Sequence, residues 1–381
     1  MKEKDIYRAL NNESIRSGIL RKWENISKAV DNAVKTHPFL LDYAREVKAA
    51  KLEVVSNYDY WIDKAVKSLE SAAAENGSRC RVYLARDERE ARKIISEVVG
   101  SGKIIVKAKS MVSEEIGLKK FLQELGNEVW ETDLGDFIVQ LAGDRPMHLI
   151  APAIHYSRKQ AAEILRGVGV RGESVEELAE GVRRFMREKF FAADVGISGC
   201  NAFSAETGRI FLVENEGNIR LSTTLPEKYV AIVSIDKMLP SDELCLKAVL
   251  VQSAFAGTFP PSYINVNEPG SQEMHVVFLD NGRRNAPEFA REQLTCLRCG
   301  RCQTECPVFQ MLGNYWGSVY GGPMGLVLSF IITRKTGVEV FLCCLCGKCR
   351  EVCPMEIDMP FIIRELRRMW LAEKEKRACS G

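Results

Sequence analysis

Two short stretches of the chain hold cysteines at spacings that suit a metal centre. Cys296, Cys299, Cys302 and Cys306 follow the pattern C-x2-C-x2-C-x3-C with Pro307 next, and Cys343, Cys346, Cys349 and Cys353 repeat it with Pro354 next. Three thiolates at two-residue gaps let one tight loop take three corners of an iron–sulfur cubane, its backbone amides pointing at the sulfides. The fourth cysteine stands beyond that loop's reach and commonly ligates the other cluster, where proline turns the chain away. Crossed ligation is therefore expected, with Cys296, Cys299, Cys302 and Cys353 around one [4Fe–4S] cluster and Cys343, Cys346, Cys349 and Cys306 around a second. Zinc also favours four thiolates, but zinc sites pair two C-x2-C knuckles and have no need of the third cysteine that both copies carry. Cys344, directly beside Cys343, offers a competing thiolate; its Cβ should point away from its neighbour's, and it is expected to be a bystander. Arg298, Arg301, Lys348 and Arg350 lie between ligands, where cations either raise the potential of an anionic cluster or simply face solvent.

Nine of the 13 cysteines fall between Cys296 and Cys353. Such clustering favours metal ligation in a reducing compartment over a disulfide framework. Net charge is +2, from 53 basic and 51 acidic residues well interspersed, so neither nucleic acid nor an anionic membrane is indicated as the main partner. The opening "MKEKDIYRALNNESIRSGIL" has no apolar signal core, and no stretch approaches the roughly 20 apolar residues of a membrane span. The expectation is a cytoplasmic protein, soluble or peripherally attached.

The elements that must position the cysteines change character along the chain. Residues 1–78 carry apolar residues at three- and four-residue spacing and close on Asn76-Gly77, which predicts a helical segment. From 79 to 285 strand and helix patterns alternate. "RVYLA", "KIIVKA", "NEVWETD" and "MHLIAPA" read as strands, and "DEREARKIISEVVG", "SEEIGLKKFLQELG" and "YSRKQAAEILRGV" as helices, which predicts an α/β body with a parallel sheet. Ser174 and Glu177 form a capping box ahead of a helix. "GRIFLVENEG", "YVAIVSI" and "MHVVFLDNG" add strands, and "RRNAPEFARE" reads as a polar bridge into a cysteine-rich region, 286–372, followed by a frayed tail, 373–381. The 36 residues between the two motifs include the helical pattern "PMGLVLSFIITR", so this region resembles the α-helical ferredoxin module of respiratory iron–sulfur subunits.

Three stretches of the body have chemical potential. Lys107 and Lys109 alternate near the end of a strand, a position suited to an anionic ligand, with Ser110 next to them. Gly196, Gly199, Asn201, Glu206, Thr207 and Gly208 read as a turn-rich loop that presents backbone amides and one carboxylate to a ligand. His148 is expected to be structural, His155 is left open, and Cys200 is expected to be a small buried filler. No Gly-x-Gly-x-x-Gly follows a predicted strand, so no built-in dinucleotide is expected.

The ordered set "VKAKSMVSEEIG", "ETDLGDFIVQLAG", "HLIAPAIH", "AETGRIFLVENEGN", "HVVFLDNGR", "CLRCGRCQTECPVF" and "YGGPMGLVL" resembles the lactate utilization protein B family of iron–sulfur proteins. The resemblance implies that the body is a LUD domain, related to the sugar-isomerase and CoA-transferase-like α/β fold, ahead of a two-cluster ferredoxin-like domain. It implies an electron-transfer subunit that works with a cysteine-rich CCG-domain subunit and a smaller LUD-domain subunit in oxidising L-lactate, a 2-hydroxy acid, to pyruvate. In related folds a glutamate attacks CoA esters, which makes Glu206 the catalytic candidate, with Lys107, Lys109, Ser110, Asn201, Thr207 and Gly208 as ligand-binding candidates. The alternative is a redox adaptor in which a non-catalytic LUD scaffold serves another dehydrogenase or a heterodisulfide-reductase-like complex. Members often extend further past the second cluster than this chain does, which leaves its partner set and electron acceptor open.

Overall fold

In the computed structural model, which describes residues 3–379, the apolar spacing of the first segment becomes four helices, Glu3–Leu10, Glu13–Thr36, Phe39–Ser56 and Tyr58–Glu75. Asparagines punctuate them: Asn12 and Asn57 accept backbone N–H groups at the starts of the second and fourth helices. Ten strands follow: β1 Cys80–Ala85, β2 Ile104–Lys107, β3 Glu128–Glu131, β4 Val195–Ser198, β5 Ala202–Ser204, β6 Ile210–Glu214, β7 Lys228–Ser234, β8 Met238–Leu239, β9 Tyr263–Asn267 and β10 Glu273–Leu279. Six of them form an all-parallel sheet in the order β1-β10-β7-β4-β2-β3, and the other four a mixed sheet in the order β8-β5-β6-β9.

The two-residue period of the strands sorts their side chains between two cores. Tyr229, Ala231 and Val233 of β7, and Met274, Val276 and Phe278 of β10, join an apolar core shared with the N-terminal helices, the second sheet and the cysteine-rich region. Val230, Ile232, Val277 and Leu279 face the opposite core, against the helix Glu88–Val99 and the segment 111–124. The cysteine-rich region is thus packed into the same interior as the body rather than tethered to it.

Several local expectations change. "MHLIAPA" is not a strand: Met147 N–H donates to the Pro152 carbonyl, and His148 Nδ1 accepts from the N–H groups of Ile150 and Ala151, so these donors are satisfied locally rather than in a ladder. The Gly196–Gly199 stretch is not a loop, since it runs through buried β4. A Cβ at Gly196 would stand 1.8 Å from the Ser222 carbonyl oxygen, so this glycine lets the helix Asn218–Thr224 press onto the strand. "SEEIGLKKFLQELG" is broken at Gly117 into Met111–Glu115 and Leu118–Glu124. "RRNAPEFARE" is not a solvated bridge, because Arg283 is fully buried. The terminal helix, Met359–Cys379, continues through the residues expected as a tail. The capping box at Ser174 is present as read, and the helix Gly322–Thr333 forms between the two cysteine motifs. No helix among the described residues is long and apolar enough to cross a membrane.

Candidate functional site

The two cysteine motifs adopt the same backbone course. In each, the residue before the second cysteine has a left-handed backbone, Arg298 at φ 61° and Leu345 at φ 52°, and the glycine after it, Gly300 or Gly347, is left-handed as well. For a non-glycine residue this costs about 1–2 kcal/mol. It turns the amides inward: Arg298 N–H donates to the Cys296 sulfur at 3.3 Å and Leu345 N–H to the Cys343 sulfur at 3.4 Å. Such concave runs of amides bind anions.

The chain then crosses between motifs. The Cys353 thiol lies near enough to those of Cys296, Cys299 and Cys302 for their charges to act on one another, and Cys306 stands in the same relation to Cys343, Cys346 and Cys349. Cys306, Cys343, Cys346 and Cys349 also line one small cavity together, with Cys344 at its edge. Cys302 is within reach of Cys349, so the two quartets are neighbours. Among the described residues, no three His, Cys, Asp or Glu side chains converge tightly enough for a single metal ion.

Burial pushes the thiols of Cys299, Cys306, Cys349 and Cys353 up to about 12, so they become thiolates only with strong compensation. An iron–sulfur core would take them as ligands, and four thiolates around a [4Fe–4S] core leave a net anion. The protein around the first quartet suits such an anion. Arg298 Nη2 meets Asp236 Oδ2 at 2.7 Å, and Arg283 Nε meets Asp236 Oδ1 at 2.6 Å. Arg283 also forms a two-pronged pair with Glu115, at 2.7 and 2.9 Å. Lys51 and Lys237 are buried beside them and donate only to carbonyls, those of Asp236 and Leu297. Four buried cations thus face two carboxylates, Asp236 and Glu115. Burial lowers Lys237 to about 7 and Lys51 to about 8, which is the mark of cations short of counter-charge.

A cavity of about 380 Å³ opens at the carboxyl ends of four parallel strands. The chain leaving β2 supplies Lys109 and Ser110, that leaving β3 Asp133, that leaving β4 the segment 199–201, and the end of β7 Ser234 and Lys237. Ligands of open α/β sheets bind at such ends. Arg298 and Cys299 form part of its wall, so the cavity touches the first quartet. The second quartet lies nearer to solvent, with Cys346 exposed.

Family models match over two stretches, a LUD domain at residues 66–279 and a 4Fe-4S dicluster domain at 292–357. "Lactate utilization protein B" of Bacillus licheniformis is 34% identical, over 97% of this chain and 80% of that protein. The chain belongs to the lactate utilization protein B family. "Uncharacterized electron transport protein YkgF" of Escherichia coli (strain K12) is 37% identical over 84% of this chain and 70% of that one. A DUF162 family protein of Deinococcus radiodurans, known from a crystal structure, aligns over 57% of this chain and 97% of its own at 12% identity and a TM-score of 0.29. As a member with the dicluster domain, the chain is an iron–sulfur cluster-binding protein.

Within this lactate utilization protein B chain, the body residues read from the sequence do not all meet. Lys109, Ser110 and Asn201 line the cavity. Lys107 does not: it is buried and paired with its cross-strand neighbour Glu131 at 2.9 Å and with Glu114 at 3.4 Å. Glu206, Thr207 and Gly208 lie in the β5–β6 turn against the helix Tyr58–Glu75. There Glu206 is exposed, its carbonyl accepts from Ser68, and Thr207 donates to Asp242 at 2.6 Å. None of the three lines the cavity, so the geometry does not support Glu206 as the nucleophile. Asn201 is spent within the protein, donating to Gln252 and accepting from Val213 N–H. His148 is structural and held neutral at about 3 by burial, while His155 pairs with Asp144 at 3.2 Å. Cys200 lines the cavity, but burial pushes its thiol up to about 12, as befits a filler. Of the motif cations, Arg298 and Arg301 are buried, whereas Lys348 and Arg350 are largely exposed.

The residues missed were Lys51, Asp236, Lys237 and Arg283. Lys51 left one signal, since it falls on the apolar stripe Leu40, Ala44, Val47, Val54 of its helix, where a lysine needs a buried partner.

Proposed function

We propose that the chain is the iron–sulfur electron-transfer subunit of a multisubunit complex that oxidises L-lactate to pyruvate. The observation that supports it most is the order of parts: cavity, buried first quartet, exposed second quartet. Cys296, Cys299, Cys302 and Cys353 would hold one [4Fe–4S] cluster and Cys343, Cys346, Cys349 and Cys306 the other. When bound, such clusters pass single electrons between a two-electron donor and an acceptor. The protein's part is to hold eight thiolates, to surround the first quartet with Arg298, Arg283, Lys51 and Lys237, and to leave Cys346 within a partner's reach. The names of the relatives support lactate as the fuel and electron transport as the task. The partners proposed are a CCG-domain subunit and a smaller LUD-domain subunit.

Anaerobic affinity purification tests this reading. About eight iron and eight sulfide per chain, with L-lactate-dependent dye reduction by the co-purified assembly, are expected. Protein that holds zinc without acid-labile sulfide would contradict it. An assembly that reduces the dye from another donor and ignores lactate would favour the redox-adaptor role.

A further inference from the structure

The cavity at the strand ends holds polar groups that the fold itself does not use. The Ser253 hydroxyl is 2% exposed and has no partner, and neither has the buried Nε of Arg298; both residues line the cavity. Lys109 reaches only the Ile150 carbonyl at 3.0 Å, with Asp136 at 3.8 Å, and Lys237 only the Leu297 carbonyl at 3.2 Å. Of the carboxylates in the lining, Glu214 is engaged by Arg220 and Asp133 caps a helix through Asp136 N–H. Cationic donors and a free hydroxyl therefore await an anionic oxygen, and Val112, Leu149 and Ile150 give an apolar wall beside them.

We propose that this cavity binds a small 2-hydroxy or 2-oxo carboxylate, placing it against the Arg298–Cys299 wall of the first cysteine quartet. The carboxylate group takes Lys109 and Lys237, the neighbouring hydroxyl or carbonyl oxygen takes Ser253, and the alkyl group takes the apolar wall. The volume lies within the range of ligand pockets, about 300–1,000 Å³, so acids with longer alkyl groups also enter. The inference rests on the electron-transfer reading and specifies where its fuel would bind.

Equilibrium dialysis of labelled L-lactate and pyruvate against the full anaerobic chain tests it, with acetate as the probe that lacks the second oxygen. Saturable binding of lactate or pyruvate in preference to acetate is expected, weakened about tenfold to a hundredfold in Lys109→Met by loss of a charged hydrogen bond. A loss of a few-fold is expected in Ser253→Ala. Equal binding by the variants and the parent, or no preference over acetate, would overturn the site. Iron and sulfide are counted in the same samples. Full clusters without binding overturn the carboxylate site alone. Missing clusters overturn the electron-transfer reading, while binding to Lys109 and Ser253, which belong to the body, still decides the site.

Discussion

Replacing Arg283 with methionine removes the centre of the buried ion cluster. Arg283 is fully buried, with two bonds to Glu115 and one to Asp236. After its loss, Asp236 keeps Arg298 and its lysine neighbours, whereas Glu115 keeps only Asn281 at 2.7 Å and the Tyr320 hydroxyl. Glu115 is therefore the weak point. Breaking one side of a buried ion pair costs about 3–5 kcal/mol. At about 2.1 cal/mol/K per residue, the 381 residues unfold with an entropy of about 0.8 kcal/mol/K, so Tm should fall by about 4–6 °C. The loss should depend on pH. In the parent, burial works to raise the Glu115 carboxyl, but the Arg283 charge and the hydrogen bonds hold it below the ordinary range. That carboxylate contributes stability present above the unfolded carboxyl pKa and lost as pH falls through its folded one. In Arg283→Met burial prevails, Glu115 is raised, and its cost fades as it takes up a proton at lower pH. Anaerobic thermal melts at pH 8 and pH 5 should show the larger deficit at pH 8, with Glu115→Gln in the same chain recovering much of it. A deficit under about 1 °C at pH 8, or one equal at both values, would show that Arg283 does not neutralise Glu115 in this way.

Other expectations are equally concrete. Burial, opposed by Lys109 and reinforced by Asp133 and Glu131, raises the Asp136 carboxyl to about 7, so its contribution is lost as pH rises from about 4 to about 7. Asp136→Asn should thus raise Tm at pH 8 and change little at pH 4; the same shift at both values would sink the assignment. Glu206→Ala, in the exposed β5–β6 turn, should leave ligand binding and lactate-dependent dye reduction unchanged, and a tenfold loss in either would restore it as a catalytic candidate. Cys344→Ser should retain full iron and sulfide, since the side chain is exposed at the edge of the second quartet. Loss of about four iron per chain in that variant would mean that the ligand register is shifted by one.

Local signals made much of this molecule legible. The cysteine spacing, the capping box at Ser174 and the three- and four-residue stripes of the N-terminal helices act over a few residues, and the box and the helices appear in place. What stayed hidden depends on partners far away in the chain. Lys107 reads as a free strand-end cation until β3 brings Glu131 beside it. Arg283 reads as part of a solvated bridge until Glu115 and Asp236 close around it from two strand–helix junctions. Gly196 signals a turn by residue type, and only the approach of the Ser222 carbonyl explains a glycine inside a buried strand. The cavity beside Cys299 is assembled from widely separated parts of the chain, so only its single residues Lys109, Ser110 and Asn201 could be picked out in advance.

Whether the quartets pair crosswise is decided by cysteine alkylation of anaerobic Cys306→Ala protein. Cys306 belongs by sequence to the first motif and by position to the second quartet. Crossed pairing predicts loss of about four iron per chain, with Cys343, Cys346 and Cys349 becoming alkylated while Cys296, Cys299 and Cys302 stay protected. Alkylation of Cys296, Cys299 and Cys302 with Cys343, Cys346 and Cys349 protected would contradict it.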